Sequence, residues 1–438
     1  MNIKFVFLSM LLMLQASVFA QELLSPEKAV VLALKNNYGI KLAHTDVEIA
    51  NNNAGILNSG YLPTLNGNAG ATYNSNNTEA EFSDGRVTTL KGAESSRYNA
   101  SVDLNYVLFD GLGRAYNYKQ LKETQQLTGL QARETIENTI LQLFTVYYNV
   151  AELTKNIDAL TETLAISKDR LIRSQYQFDY GQSTKLAVLN AEVDINNDSI
   201  NLMNSKQQLQ NYKRDLNLVL GNTILGDFDV HTQVSFNTLY SRSELLEKTK
   251  VNNINLLQID KNIAINTLGV KFQKSNYLPT VGLTGSYGWN KSNNNAASFV
   301  AVSTNTGFSG GLNLSWNLFD GGSTITRVKN AKINLEAQNI QKEQLVVSVE
   351  RDFSNAWDDY QNKLRIFKLQ EENINTSQNN FDRTLEKFKL GQVNSIEFRQ
   401  AQLNLLNAEL SRNRAKYLAK LAEFYLLQLS GELLNINF

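Results

Sequence analysis

The chain contains no cysteine among its 438 residues. Disulfides, cysteine-based metal sites and thiol nucleophiles are therefore excluded, and so is an anchor attached to a lipidated cysteine. The two histidines, His44 and His231, stand alone without a second ligand at metal-binding spacing. No cluster of serine, histidine and acid suggests a nucleophile, and no glycine pair has the lysine of a phosphate loop. The sequence predicts a protein that is not an enzyme and that uses no metal or cofactor.

Proline is scarce and net charge is absent. Only three prolines occur, which favours long uninterrupted helices because proline breaks a helix interior. Lysine plus arginine number 42 and aspartate plus glutamate number 42, so nothing in the charge predicts a nucleic-acid partner. Beyond residue 20 no segment is apolar enough for a transmembrane helix. Any membrane attachment of the mature chain must therefore come from its fold.

Residues 1–20 have the pattern of a signal peptide. Lys4 supplies the positive start, and Phe5–Leu14 is apolar apart from Ser9. In Val18-Phe19-Ala20 the first and last residues are the small residues at the two positions that a signal peptidase reads. This apolar stretch is shorter than the roughly 20 residues that a transmembrane helix needs. The sequence predicts an exported protein whose mature chain begins near Gln21.

The mature chain contains an internal duplication. The motif Tyr61-Leu62-Pro63-Thr64 recurs as Tyr277-Leu278-Pro279-Thr280, and Leu108-Phe109-Asp110-Gly111 recurs as Leu318-Phe319-Asp320-Gly321. From the second motif to Gly221 and Gly431 the spacing between the copies is constant, which indicates a rigid part. We predict a first repeat over 21–222, a linker over 223–242 and a second repeat over 243–438. The repeats are predicted to contain β-hairpins at about 61–110 and 277–320, and helical hairpins at 111–222 and 321–431.

Each repeat is predicted to open with one helix, over Pro26–Ser59 and over Ser243–Ser275. After each proline, apolar and polar residues alternate with the period of a strand, most clearly over Tyr98–Leu108 and Phe308–Leu318. The segments Asn74–Arg97 and Asn290–Gly307 are rich in asparagine, serine and threonine and are predicted to be exposed loops.

A sevenfold apolar repeat follows each hairpin. It runs through Ile136, Leu143, Val150, Ile157, Leu164, Leu171 and Phe178, and in the same register through Val346, Phe353, Tyr360, Phe367, Ile374, Phe381 and Phe388. The following helix continues the pattern at Val188, Ile195, Leu202, Leu209 and Leu216. This period predicts long helices packed in a left-handed supercoil. The first, from about Arg114 to Asp179, should be about 100 Å long at 1.5 Å per residue.

The hairpins have the strand length of an outer-membrane protein, about 10 residues, and aromatic side chains near the strand ends suit the headgroup level. One chain supplies only four such strands, whereas barrels of this kind begin at about eight. An open sheet edge in lipid would leave backbone N–H and C=O groups without partners. A membrane barrel must therefore be assembled from several chains, and backbone hydrogen bonding alone allows two, three or four.

The duplicated motifs, together with the Phe-x-x-Gly-Gln turns that begin at Phe178 and Phe388, resemble those of the TolC-like outer-membrane efflux proteins. The resemblance covers essentially the whole mature chain. It implies a mainly α fold with membrane β-hairpins, in which a homotrimer joins a twelve-helix periplasmic tunnel to a shared twelve-stranded barrel. It also implies a location in the bacterial outer membrane, extending into the periplasm.

The resemblance also implies a function, partners and site residues. The protein would be the exit duct of a tripartite efflux or type I secretion system, held in outer-membrane lipid and served by an inner-membrane transporter and a periplasmic adaptor. Pro63 and Pro279 would mark the bends from helix to strand, which fits the bias of a pre-proline residue against helix. The adaptor would dock at the tips of the helical hairpins, formed by Tyr180, Gly181, Gln182, Leu390, Gly391 and Gln392.

Acidic residues just after each tip line the narrow periplasmic entrance in that family. The matching positions here are Glu397 and Gln400 in the second repeat, and Ala187 and Asn190 in the first. We therefore hypothesise that Glu397 forms the only acidic ring at the entrance. The basic residue expected two positions after the tip glycine is Val393, and the aromatic residue three before it is Phe388, which has no hydroxyl. The closed state is thus expected to depend more on apolar packing than on a polar latch.

Two other classes remain open at this stage. A periplasmic coiled-coil adaptor or structural spacer would explain the sevenfold repeat but not the two β-hairpins. A plain porin would explain the hairpins but not the long helices.

Overall fold

The computed structural model describes residues 22–236 and 241–436. The predicted signal peptide and residues 237–240 of the predicted linker lie outside the described residues. The helices are α1 Pro26–Asn36, α2 Tyr38–Asn53, α3 Gly113–Asp179, α4 Lys185–Val219, α5 Arg242–Asn252, α6 Ile254–Ser275, α7 Ser323–Lys389 and α8 Ser395–Leu429. The strands are β1 Glu22–Leu24, β2 Thr64–Glu81, β3 Val87–Asp110, β4 Phe228–Val230, β5 Thr280–Asn293 and β6 Val302–Ser315.

The chain divides into two compact units. One comprises Val47–Gly129 and Gln258–Glu343 and contains the large sheet. The other comprises the described parts of Met1–Asp46, Leu130–Leu257 and Gln344–Phe438. In this second unit β1, at the start of the described chain, pairs in parallel with β4.

The large sheet has four antiparallel strands in the order β2-β3-β5-β6. The two hairpins β2-β3 and β5-β6 are joined side by side through β3 and β5, with Asp103 of β3 opposite Ser286 of β5. Apolar side chains on one face are exposed, among them Leu65, Val102, Phe308 and Leu312. The opposite face carries asparagine, serine, threonine and glycine, as the alternation in the sequence predicts.

The strands are longer than the sequence suggests. Asn74–Arg97 was expected to be a loop, but β2 continues to Glu81 and β3 begins at Val87, so the loop prediction is wrong for most of this segment. In the second hairpin only residues 294–301 lie outside the strands. The β ladder consists of backbone hydrogen bonds, so a polar stretch stays in the ladder when its partner also continues. The low apolar content of these segments concealed that pairing.

Each opening helix is broken by an asparagine, contrary to the prediction of one continuous helix. Asn37 separates α1 from α2, and Asn253 separates α5 from α6. The Asn37 Oδ1 accepts a hydrogen bond of 2.8 Å from the Gly39 N–H, and its Nδ2 donates one of 2.9 Å to the Val219 carbonyl. Asparagine competes with the helix backbone through its short polar side chain and so favours such breaks. Asn253 repeats this arrangement, with Nδ2 donating to the Leu429 carbonyl at 2.9 Å.

The sevenfold repeat forms the core of the helical unit. Leu143, Val150 and Phe353 are fully buried, and Tyr360 is almost so. They pack in one cluster with Leu216 of α4 and with apolar residues of α1 and α8. Within the residues that the structure describes, no helix is long and apolar enough to cross a membrane. The buried residues of the sevenfold repeat stabilise these helices by packing against apolar side chains of neighbouring helices.

Candidate functional site

Two reversals join the long helices, α3 to α4 and α7 to α8. Gly181 and Gly391 have φ angles of +71° and +70°, in the left-handed region that favours glycine. The backbone N–H of Gln182 donates to the Gln177 carbonyl at 2.7 Å, and that of Gln392 donates to the Lys387 carbonyl at 2.9 Å. These bonds close each helix with a Schellman motif, which satisfies carbonyls of its last turn. The two copies therefore end in the same geometry.

The residue before each tip glycine is strongly exposed. Tyr180 has 78% of its surface exposed and Leu390 has 71%. The side chains of Gln182 and Gln392 are also exposed. A Cβ atom added at Gly181 or Gly391 would meet no atom within 4 Å. The six predicted docking residues thus form two open tips with an exposed apolar or aromatic side chain on each.

The two tips border one hollow of about 570 Å³. Its apolar lining includes Leu186 and Val193 from α4, and Val393, Ile396 and Leu403 from the second reversal and α8. Most remaining lining residues are polar or charged and include Gln182, Asn394 and Arg399. The hollow therefore offers apolar contact surface with hydrogen-bonding groups around it, as protein-binding sites commonly do.

Glu397 is exposed and forms a capping box at the start of α8. The Asn394 Oδ1 accepts a hydrogen bond of 2.9 Å from the Glu397 N–H, and the Glu397 Oε2 accepts one of 3.3 Å from the Asn394 N–H. Gln400, one turn later, donates to the Asn404 side chain at 2.9 Å. In the first copy Thr184 makes no side-chain cap, and Ala187 stands where Glu397 stands in the second. Glu397 therefore has a local structural role as part of the cap of α8, and its role at the entrance stays a prediction.

A buried network of charged and polar side chains lies behind the tips and was missed by sequence reasoning. The guanidinium of Arg399 in α8 donates two hydrogen bonds to the carboxylate of Asp198 in α4, of 2.6 Å from Nη2 and 2.9 Å from Nη1. Ser167 of α3 donates to the same carboxylate at 2.6 Å. Arg170 of α3 forms an ion pair with Asp194 of α4, and its side chain is 2% exposed. The network ties the first helical hairpin to α8 by polar contacts.

One signal in the sequence could have revealed this network. Each heptad of a coiled coil has two core positions, the second of them three residues after the first. Ile195 is at a first core position, so Asp198 is at the second core position of the same heptad. Ala191 and Val219 occupy the equivalent positions of other heptads and are buried. A charged side chain at a core position requires a partner of opposite charge, because burying an unpaired charge costs much free energy. The expectation that closure depends more on apolar packing than on a polar latch considered only the positions that the family uses, and this network uses others.

The predicted bends lie at the start of the first strand of each hairpin. Pro63 and Pro279 directly precede β2 and β5, which begin at Thr64 and Thr280. After each hairpin an aspartate accepts a hydrogen bond from the first turn of the next helix. The Asp110 Oδ2 accepts from the Arg114 N–H at 2.7 Å, and the Asp320 Oδ2 accepts from the Thr324 N–H at 2.8 Å. Each aspartate therefore satisfies a backbone N–H group of the first helical turn, which has no partner within its own helix.

No group of three or more metal-ligating side chains occurs in the described ranges 22–236 and 241–436.

Comparison with known proteins points to transport. A family model described as outer membrane efflux protein matches residues 29–222 and 245–432. The outer membrane efflux protein BepC of Brucella suis is 24% identical over 416 residues, which cover 92% of this chain and 85% of BepC. The outer membrane protein TolC of Escherichia coli is 23% identical over 374 residues, covering 81% of this chain and 72% of TolC.

Solved structures share the fold. The CmeC outer membrane channel of Campylobacter jejuni superposes with a TM-score of 0.78 at 17% identity, covering 93% of this chain and 86% of CmeC. The open state of the MtrE outer membrane channel of Neisseria gonorrhoeae gives a TM-score of 0.73 at 16% identity, covering 93% and 89% of the two chains. The duplicated arrangement of hairpins and long helices is therefore an outer-membrane channel fold.

Proposed function

This chain belongs to the outer membrane efflux protein family, and we propose that three copies of it form the exit duct of a tripartite efflux or type I secretion system. The family consists of channels, so the protein is a channel subunit of the outer membrane and not an enzyme. In the proposed assembly each copy contributes four strands to a twelve-stranded barrel and four long helices to a twelve-helix periplasmic tunnel.

The observation that carries the proposal is the four-stranded sheet, in which both outer strands have an unpaired edge among the residues that the structure describes. β2 and β6 form the outer edges of the order β2-β3-β5-β6. Neither strand contains a proline or a lysine, which proteins commonly use to protect an edge from further pairing. The exposed apolar face suits lipid, but the edges do not, since their N–H and C=O groups would have no partners there. Pairing of β6 with β2 of a second copy would remove both edges.

The direction of the strands permits this closure. Each neighbouring pair in the sheet is antiparallel, so β2 and β6 run in opposite directions. The β6 strand of one copy would therefore meet the β2 strand of the next in the same antiparallel sense. Such head-to-tail contacts form a closed ring when a whole number of copies, each rotated by the same angle, completes one full turn. Three copies are the number that the family resemblance indicates.

The tips are proposed as the docking surface for a periplasmic adaptor, which would connect the duct to an inner-membrane transporter. The exposed Tyr180 and Leu390 and the hollow between the reversals support this assignment, because large exposed apolar side chains around a concavity are typical of interfaces. Glu397 is proposed to line the periplasmic mouth. In a trimer it would appear three times around one axis and favour cations in a narrow aqueous opening.

Assembly tests this proposal directly. Purified in mild detergent from outer-membrane fractions, the protein should run as a trimer that heat converts to monomer, because four strands cannot close a barrel and folding depends on oligomerisation. A monodisperse monomer that keeps its full strand content would contradict the proposal. Recovery in the soluble periplasmic fraction would favour the adaptor or spacer class instead.

A further inference from the structure

Asp103 is the one charged side chain in the central part of the described sheet. In this part four segments pair with one another and contain no other charge: Thr64–Gly70 of β2, Asn99–Val107 of β3, Gly282–Asn290 of β5 and Asn305–Asn313 of β6. Ionisable residues at membrane depth usually face a water-filled cavity or an ion pathway, so a lone one is a candidate functional group.

The Asp103 carboxylate is held by donors from three neighbouring strands. Asn68 of β2 donates to Oδ2 at 2.6 Å, Ser101 of β3 donates to Oδ2 at 2.9 Å, and Ser286 of β5 donates to Oδ1 at 2.5 Å. All three partners are neutral. Across the described residues, no lysine or arginine forms an ion pair with Asp103. The charge is therefore fixed in position and not neutralised by a neighbour.

The carboxylate borders an open polar hollow of about 540 Å³. Asn66, Asn105, Ser286 and Ser309 line it, and Gly311 leaves space where another side chain would stand. This volume is enough for several water molecules beside the carboxylate, since each takes about 30 Å³ in the liquid. Val102 and Leu104 flank Asp103 in sequence and point to the opposite, apolar face of the sheet.

We propose that Asp103 forms a ring of three fixed carboxylates inside the barrel, which makes the membrane part of the channel prefer cations. The proposal rests on the proposed trimer, in which the apolar face meets lipid and the polar face lines the lumen. Rings of aspartate or glutamate select cations because fixed negative charge in a narrow aqueous pore attracts them and repels anions. This ring is distinct from Glu397, which lies at the helical tips.

The nearest other charges on the sheet are Arg97 and Lys291 toward the hairpin turns and Asp110 at the opposite end of β3. Arg97 is on the same face of β3 as Asp103, six residues closer to the hairpin turn, and Lys291 is paired with Tyr98. Because a strand rises about 3.3 Å per residue, Arg97 lies about 20 Å further along the strand, beyond the Debye length of about 8 Å at physiological salt. The carboxylate ring therefore determines the local potential at its own level.

The test is the reversal potential of reconstituted trimers in planar bilayers under a potassium chloride gradient. Asp103→Asn keeps the size and polarity of the side chain and removes the charge, so cation preference should decrease and the reversal potential should move toward zero. Ser286→Ala removes one hydrogen bond to the carboxylate but keeps its charge, so its cation preference should decrease much less than that of Asp103→Asn. Equal selectivity of Asp103→Asn and the unmutated channel would overturn the proposal.

A second variant decides the matter if Asp103→Asn does not assemble. Asn105 lies on the same face, two residues away, and is exposed. Asn105→Asp adds a second carboxylate ring without disturbing Asp103 and should strengthen cation preference, whereas Asn105→Lys should weaken it. Unchanged selectivity in both variants would show that this face does not line the conducting path. If the unmutated protein forms no channel at all, the proposed trimeric duct itself fails, which is a different result.

Discussion

The Arg399 guanidinium holds the Asp198 carboxylate in a two-bond fork, with N–O distances of 2.6 and 2.9 Å. The Asp198 side chain is 4% exposed and that of Arg399 is 12% exposed. Paired forks of this kind are stronger than single neutral hydrogen bonds and fix the mutual orientation of the two groups. Because Asp198 belongs to the first repeat and Arg399 to the second, this pair connects the two halves of the duplication near the tips.

Breaking this pair should destabilise the tips. Asp198→Leu leaves the buried Arg399 charge without its main partner, and loss of one member of a buried ion pair costs about 3–5 kcal/mol. We expect a lower midpoint of thermal unfolding and faster proteolysis at the reversals. Asp158, which pairs with Lys155 and is 63% exposed, provides the control, and Asp158→Leu should change little. Combining Asp198→Leu with Arg399→Leu should recover much of the lost stability, and equal damage in the double variant would contradict this account.

A large side chain in place of the tip glycine Gly391 should block transport without preventing trimer assembly. Gly391→Trp places a large side chain in open space, so it clashes with nothing in its own chain but obstructs an adaptor. Gly391→Ala is the matched control, because it has the same strained positive φ, costing about 1–2 kcal/mol, without the bulk. We expect export to fail only with tryptophan, while both variants form trimers. Normal export with tryptophan at both Gly181 and Gly391 would show that the tips do not dock the adaptor.

Two substitutions at Glu397 separate its capping role from the proposed ring. Glu397→Gln can still complete the capping box, since glutamine serves at that position, but it has no charge. Glu397→Ala loses both roles. If the ring exists, single-channel recordings should show reduced cation preference and weaker block by divalent ions in both variants. If both variants keep normal ion selectivity and only the alanine variant loses stability, Glu397 caps α8 but does not form an acidic ring.

The buried carboxyl of Glu137 should make the free energy of unfolding depend on pH. It is fully buried, and burial raises the pKa of its carboxyl above the ordinary value of 4.5 despite the ion pair with Arg133. The folded state therefore binds the proton more tightly than the unfolded state. The resulting stability is fully present below pH 4.5 and is lost as the pH rises through the raised pKa.

Glu137→Gln should remove this part of the pH dependence, because the amide does not titrate. Between pH 4.5 and neutrality, the thermal midpoint of the variant should fall less than that of the unmutated trimer. Glu192→Gln, at an exposed position, is the control and should retain the original slope. Identical slopes for Glu137→Gln and the unmutated protein would mean that Glu137 does not titrate differently on folding.

The sequence by itself determined the features that depend on local periodicity. The alternation over Tyr98–Leu108 predicted a strand with one apolar face, and β3 includes that whole segment. The sevenfold repeat predicted a helix from Arg114 to Asp179, and α3 runs from Gly113 to Asp179. A strand or helix repeats its exposure every two or every three to four residues, so the spacing of apolar side chains is sufficient to identify it.

Only the tertiary structure decided the features whose causes lie far away in the chain. The break at Asn37 is stabilised by the carbonyl of Val219, and the polar extension of β2 requires β3 to continue beside it. The buried position of Asp198 is compensated by Arg399, from the other repeat. In each case the stabilising partner is distant in sequence, and its position is fixed by helix packing or strand register. Local pattern does not contain that information, because long-range contacts form only when the whole chain folds.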